Sequence, residues 1–183
     1  MIEIRMHGRG GQGAVVASEM LARAAVRDGM HAAAFPFFGV ERRGCPVTAF
    51  CRIDDRPIRI HAGIYEPDYV VVLDPGLMSL VDVFQGLKPD GKILVNTTRS
   101  KQELGIKAPN TVVTVDATAI ALKHGLGSET APIVNTAIIG ALVRMLPNIS
   151  VDSLLESVME AAPVKKQENA AAAKEAYDMT KEV

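Results

Sequence analysis

The chain has 183 residues, 48% of them hydrophobic and 22% charged, which suits one folded domain with a substantial core and excludes intrinsic disorder. Aromatic residues make up only 4%, tryptophan is absent and the net charge is −1, so neither a base-stacking platform nor a basic field for nucleic acid is expected. The longest apolar run, Ala131–Val143, is broken by Asn135 and Thr136 and is too short to span a bilayer.

The first ten residues carry no signal-peptide pattern. Ile2–His7 predicts a strand, and the glycine loop 8–13 follows it. Ala14–Asp28 places Val16, Met20 and Ala24 at helical spacing, with Gly29 as its C-terminal stop. A second strand over Ala32–Pro36 completes a βαβ unit, and 45–53 reads as a further strand. Asp54-Asp55-Arg56-Pro57 turns the chain into a short strand, Ile58–His61. Tyr69–Leu73 is a continuous apolar run, as a strand covered on both faces requires. Asp74-Pro75-Gly76 is a turn, and Leu77–Phe84 is expected to be helical. Lys92–Asn96 and Val112–Val115 are two more buried strands. Helices follow near 117–124, 133–146, 150–161 and 166–181. This alternation implies one domain over 1–183, a three-layer α/β/α, Rossmann-like fold with a mostly parallel sheet and a helical C-terminal segment.

Charge is distributed unevenly. Residues 1–60 hold nine arginines and no lysine against six acids. Arginine is favoured where planar contact with phosphate or carboxylate matters, although surface ion pairs also use it. Gly8-Arg9-Gly10-Gly11-Gln12-Gly13 satisfies G-x-G-x-x-G between a strand and a helix. Glycines there let backbone approach a pyrophosphate, and the helix N-terminus offers unpaired N–H groups. The acid that a dinucleotide site places at the end of the second strand is missing, since that strand ends in Phe35-Pro36-Phe37-Phe38. Ala14 and Val15 also stand where a P-loop has lysine and serine or threonine. A tight strand–helix junction without ligand is the plain alternative. The second candidate is the loop Phe37–Pro46, where Glu41, Arg42 and Arg43 lie between Gly39 and Gly44. Two adjacent arginines clamp a phosphate or a partner's carboxylate equally well, and an ordinary salt-bridged loop has the same composition.

Taken together, GRGGQG at 8–13 and FGVERRGCPVTAFCRID at 38–54 resemble the gamma subunit, or gamma domain, of the pyruvate:ferredoxin oxidoreductase family. APIVNTAIIGAL at 131–142 and ENAAAAKEAYD at 168–178 look like the family's asparagine–threonine helix and its closing helix. The likeness covers nearly the whole chain. Glu41-Arg42-Arg43-Gly44-x-Pro46-Val47 looks more like the pyruvate and branched-chain branch than the 2-oxoglutarate branch, with Cys45 where a small residue is expected. The resemblance implies a subunit of an enzyme that converts a 2-oxoacid, coenzyme A and oxidised ferredoxin to acyl-CoA, carbon dioxide and reduced ferredoxin. It implies alpha, beta and delta partners, with thiamine diphosphate and iron–sulfur clusters on those subunits and ferredoxin as acceptor. No catalytic residue and no metal ligand is expected on this chain.

Two local roles stay open. Gly8, Arg9, Gly10, Gly11, Gln12, Gly13, Arg42 and Arg43 are candidates to bind coenzyme A. Alternatively Arg9, Arg42 and Arg43 form ion pairs to the alpha or beta subunit. A stand-alone nucleotide-binding module without catalytic activity is a third reading, opposed by the missing acid and by the resemblance.

Cys45 and Cys51 form neither a disulfide framework nor a four-cysteine cluster site, so a reducing, cytoplasmic location is expected. They read as small buried hydrophobes on one strand face. His7 ends the first strand beside the glycine loop, within reach of a ligand. Asp74 fits an Asx-turn at the crevice edge. Asn135 and Thr136 either cap their helix or face the crevice. The last helix offers mainly alanines and Tyr177, so a neighbouring subunit is expected to support it.

Overall fold

The computed structural model describes residues 1–37, 44–60 and 62–180. Its main sheet has six strands: β1 (Ile2–Arg9), β2 (His31–Phe37), β3 (Pro46–Asp54), β4 (Tyr69–Val72), β5 (Lys92–Asn96) and β6 (Thr111–Val115), in the order β2-β3-β1-β4-β5-β6. The pairs β1–β4, β4–β5 and β5–β6 are parallel. β3 runs antiparallel to both its neighbours, β1 and β2. The sheet is therefore mostly parallel, as the sequence pattern predicts, but the first βαβ unit differs. After α1 (Ala14–Arg27), β2 points the same way as β1 without touching it. The connection after Phe37 sends β3 back between them, with Ile2 facing Ile53 and Arg9 facing Pro46.

Five helices give the sheet one thick cover: α1, α2 (Ala117–Lys123), α3 (Asn135–Met145), α4 (Val151–Ala161) and α5 (Lys166–Met179). Ile4 and Met6 of β1, Val71 and Leu73 at β4 and Leu94 of β5 face this layer. Every residue of α3 except Arg144 is buried, the pattern of a helix apolar all round and surrounded by others. The opposite layer is thin. A short 3-10 helix, Pro75–Ser79, and the turns that follow cover Val70, Val72, Ile93 and Val95.

Two expected elements are replaced by arginine-held loops. No strand forms over 58–60, and His61 lies outside the described residues. Instead the buried Arg52 guanidinium donates to the carbonyls of Ile60, Ala62 and Gly63 and pairs with Glu3. The expected helix over Leu77–Phe84 stops at Ser79. Beyond it the carbonyls of Val83 and Gln85 accept from Arg5, which also reaches the carbonyl of Ile64. In each case a guanidinium satisfies backbone acceptors that a ladder or helix would otherwise have taken.

The last helix also departs from expectation. Ala172, Ala173 and Ala176 of α5 have no exposed surface and pack on α3 and α4 of the same chain. The approach is close enough that a Cβ on Gly140 would lie 2.0 Å from the Ala173 carbonyl oxygen. Small residues here permit backbone contact, so α5 has intramolecular support despite its low apolar content. Among the described residues no helix is long and apolar enough to cross a membrane.

Candidate functional site

β1, β4, β5 and β6 end on the same side of the sheet, where open α/β folds keep their binding crevice. The glycine loop leaves β1 there and enters α1 through Gly13, whose φ of 79° is left-handed. α1 has no side-chain N-cap, and its first-turn amides point towards the loop. The loop is tied at Gly10 by two backbone hydrogen bonds. The Gly10 amide donates to the Cys45 carbonyl at 2.9 Å, and the Gly44 amide donates to the Gly10 carbonyl at 3.1 Å. The root of the β2–β3 connection is thereby fixed against the glycine loop.

Two side chains of the loop are oriented by this frame. The Gln12 Oε1 accepts from the Arg9 amide at 2.7 Å. An amide oxygen must face that N–H, so the Gln12 NH2 group is left as a donor on the other side. The Arg9 Nε donates to Asp74 Oδ2 at 2.6 Å, and its Nη1 donates to the Gly44 carbonyl at 3.2 Å. The other Asp74 oxygen accepts from the Gly76 amide at 2.8 Å, the Asx-turn expected from sequence. Arg9, Gly10, Gly11, Gln12, Gly44 and Asp74 wall a cavity of about 290 Å³. Its rim is formed by Thr130 and β8 (Ala131–Pro132), one strand of a hairpin with β7 (Gly127–Ser128) that sequence periodicity is too short to reveal.

A second cavity of about 460 Å³ adjoins the first and shares Gln12, Asp74, Thr130 and Pro132 with it. Asn96, Thr97, Asp116 and Thr118 line it from the ends of β5 and β6. Asn96 is buried and fixed: its amide donates to the Leu73 carbonyl and Thr118 Oγ1, and its oxygen accepts from the Thr118 amide. Asp116 caps α2 through the Ala119 amide. One lobe of the crevice thus offers the Arg9 guanidinium, paired with Asp74, and the glycine-loop backbone, and the other offers carboxylates, hydroxyls and an amide. The first suits an anion and the second suits neutral hydroxyl or amide groups.

Of the sequence candidates, Gly8, Arg9, Gly10, Gly11, Gln12 and Gly13 come together in or beneath this crevice. Arg42 and Arg43 lie outside the described residues, as does Glu41. His7 does not reach the crevice. It is buried against Arg5, whose Nε donates to its Nε2 at 3.1 Å. Burial, reinforced by the Arg5 charge, pushes its imidazole down to about 4, so it is neutral at physiological pH. Asn135 lies under the loop at 7% exposure and accepts from the Thr136 amide. Thr136 is fully buried and donates to Asn169 of α5. Cys51 is buried and its thiol is pushed up to about 12 by desolvation, leaving it inert. Cys45 is half-buried and precedes β3 rather than sharing a strand face with it. Sequence patterning did not single out Asn96, Asp116, Thr118 or Thr130, whose common position depends on which strands end together. Among the described residues no group of histidines, cysteines or acids is placed to hold a metal ion.

Residues 3–179 match the family model described as pyruvate ferredoxin/flavodoxin oxidoreductase. The chain is 53% identical to the pyruvate/ketoisovalerate oxidoreductases common subunit gamma of Thermococcus kodakarensis, over 98% of this chain and 97% of the relative. It is also 53% identical to the pyruvate synthase subunit PorC of Methanothermobacter marburgensis, over 99% of this chain and 98% of the relative. Among solved structures, the pyruvate oxidoreductase subunit PORC of Thermotoga maritima superposes with a TM-score of 0.81 at 36% identity, covering 97% of this chain and 95% of that one.

Proposed function

The chain belongs to the pyruvate ferredoxin/flavodoxin oxidoreductase family, and we propose that its crevice binds the phosphate-bearing end of coenzyme A within the assembled enzyme. It is a gamma subunit of a 2-oxoacid:ferredoxin oxidoreductase, one part of a multi-subunit complex. In our reading alpha, beta and delta subunits complete that complex, with thiamine diphosphate and the iron–sulfur clusters on those partners. Pyruvate is the proposed 2-oxoacid. The whole enzyme converts pyruvate, coenzyme A and two oxidised ferredoxins to acetyl-CoA, carbon dioxide, two reduced ferredoxins and a proton. We place the complex in the cytoplasm, a reducing setting that suits the two free cysteines.

The observation that carries the coenzyme A reading is the Arg9 guanidinium beside the glycine loop and the uncapped start of α1. Together they supply charge and amides for phosphate oxygens. The adjoining lobe of Asn96, Asp116, Thr118 and Thr130 offers partners for hydroxyl and amide groups of the same molecule. Arg42 and Arg43 enter the proposal through their place on the connection that returns to the crevice wall at Gly44. The rival reading assigns Arg9 to a partner subunit. Its pairing with Asp74 leaves the same outer donors for a partner's carboxylate, and the cavity that Arg9 lines is what favours a small ligand.

Replacing Arg42 and Arg43 together by alanine in the assembled enzyme tests the reading. Coenzyme A-dependent reduction of a low-potential dye is expected to need a higher coenzyme A concentration, with the subunit still bound. An unchanged requirement in an intact complex overturns it. Release of the subunit from the complex favours the architectural role instead.

A further inference from the structure

We propose that Asp74 is a positioning residue for anion recognition, holding Arg9 by one edge so that its outer edge meets the ligand; this rests on the coenzyme A reading above. A guanidinium has five N–H donors in a fixed fork. In Arg9 the Nε proton is taken by Asp74 Oδ2 at 2.6 Å, and one Nη1 proton is taken by the Gly44 carbonyl at 3.2 Å. The remaining Nη protons take no hydrogen bond among the described residues, and Arg9 lines the cavity. These are the donors that bind a phosphate or carboxylate by two parallel hydrogen bonds.

Asp74 can hold Arg9 only because it is itself held. Its Oδ1 accepts from the Gly76 amide at 2.8 Å, which turns Oδ2 towards β1. Asp74 lies two residues past the end of β4, and Arg9 is the last residue of β1, the neighbouring parallel strand. The pairing therefore bridges two strand ends at the mouth of the crevice. An arginine side chain has many rotamers, and fixing it before the ligand arrives removes that entropic cost from binding. Asp74 also lines both lobes. It offsets part of the Arg9 charge, so recognition rests on directed donors as well as on charge.

Asp74→Asn separates the two jobs of this side chain. Asparagine still accepts from the Gly76 amide, as a cap does, but presents no charge to Arg9 and can present an NH2 group instead. In the assembled enzyme Asp74→Asn is expected to raise the apparent KM for coenzyme A about tenfold with kcat within twofold, the size of one lost charge-assisted contact. Arg9→Gln is expected to do the same. The double variant is expected to match Arg9→Gln alone, because Asp74 acts through Arg9. A KM unchanged by Asp74→Asn, or effects that add in the double variant, overturns the proposal. If Arg9→Gln also leaves KM unchanged, the coenzyme A reading fails with it. If Arg9→Gln raises KM while Asp74→Asn does not, only the role of Asp74 fails. Should the variant not assemble, coenzyme A binding to the full-length chain by calorimetry gives the same comparison through Kd.

Discussion

The Asn135 side chain lies directly against Gly13, so that a Cβ on this glycine would sit 2.7 Å from the Asn135 amide nitrogen. Gly13 also has a φ of 79°, where side chains are strained. The glycine loop is therefore supported from below by the first residue of α3, a part of the chain more than a hundred residues away. Gly13→Ala meets both obstacles and is expected to destabilise the chain by about 2–3 kcal/mol. Urea denaturation measures this. Asn135→Ala opens the space beneath, and combined with Gly13→Ala it is expected to recover part of the loss. Full additivity of the two substitutions would show that the contact does not limit the loop.

The contact between Gly140 and the Ala173 carbonyl makes a second prediction. No rotamer relieves a Cβ pressed against backbone, so Gly140→Ala must move α5 away from α3. The expected loss is roughly 1–3 kcal/mol, the range for overpacking a core. Deleting residues from Pro163 onward exposes α3, whose own sequence is almost wholly apolar. That truncated chain is expected to lose folding itself, seen as a lowered Tm or insolubility. A truncated chain with an unchanged Tm would return α5 to the role of a pure subunit contact.

The sheet's parallel half was legible because Tyr69–Leu73, Lys92–Asn96 and Val112–Val115 are short apolar runs between turn signals. The glycine loop was equally plain from its position between strand and helix. The strand order was not: local pattern cannot say that β3 returns between β1 and β2, because that choice is made by pairing between distant segments. The loops after Arg52 and Ser79 escaped for a related reason. Their backbone acceptors are satisfied by Arg52 and Arg5, side chains on other strands. α5 misled through its composition, since alanine contributes little area yet allows backbone approach. The second lobe of the crevice was hidden because Asn96, Asp116 and Thr130 share no motif.

His7 gives a prediction with a defined pH window. Its folded value is about 4, below the ordinary 6.5, because burial and the Arg5 charge disfavour the imidazolium. The unfolded chain therefore binds the extra proton between these values. Stability conferred by neutral His7 is fully present above about pH 6.5 and is lost progressively as pH falls towards 4. The loss is on the order of 3 kcal/mol across the window. His7→Gln removes the titration. The difference in unfolding free energy between wild type and this variant is expected to change across pH 4–7, with wild type declining more steeply towards acid. Parallel pH profiles would mean that His7 is not the titrating group.

Arg52 ties a loop to the thin side of the sheet. Its guanidinium has 3% side-chain exposure and meets the Glu3 carboxylate at 2.8 Å. It also donates to the carbonyls of Ile60, Ala62 and Gly63. The Phe35 ring lies 5.4 Å from the same guanidinium. Arg52→Ala leaves a largely buried carboxylate and several backbone acceptors without their donor. Breaking such a buried pair costs about 3–5 kcal/mol. Arg52→Lys keeps the charge but cannot reach all these acceptors from one nitrogen, so it is expected to recover only part of the loss. Since the acceptors lie in the segment after Pro57, limited proteolysis of Arg52→Lys is expected to cut within 57–63 before the chain unfolds globally. Cleavage that begins elsewhere, at the wild-type rate, would show that the segment is held by other contacts.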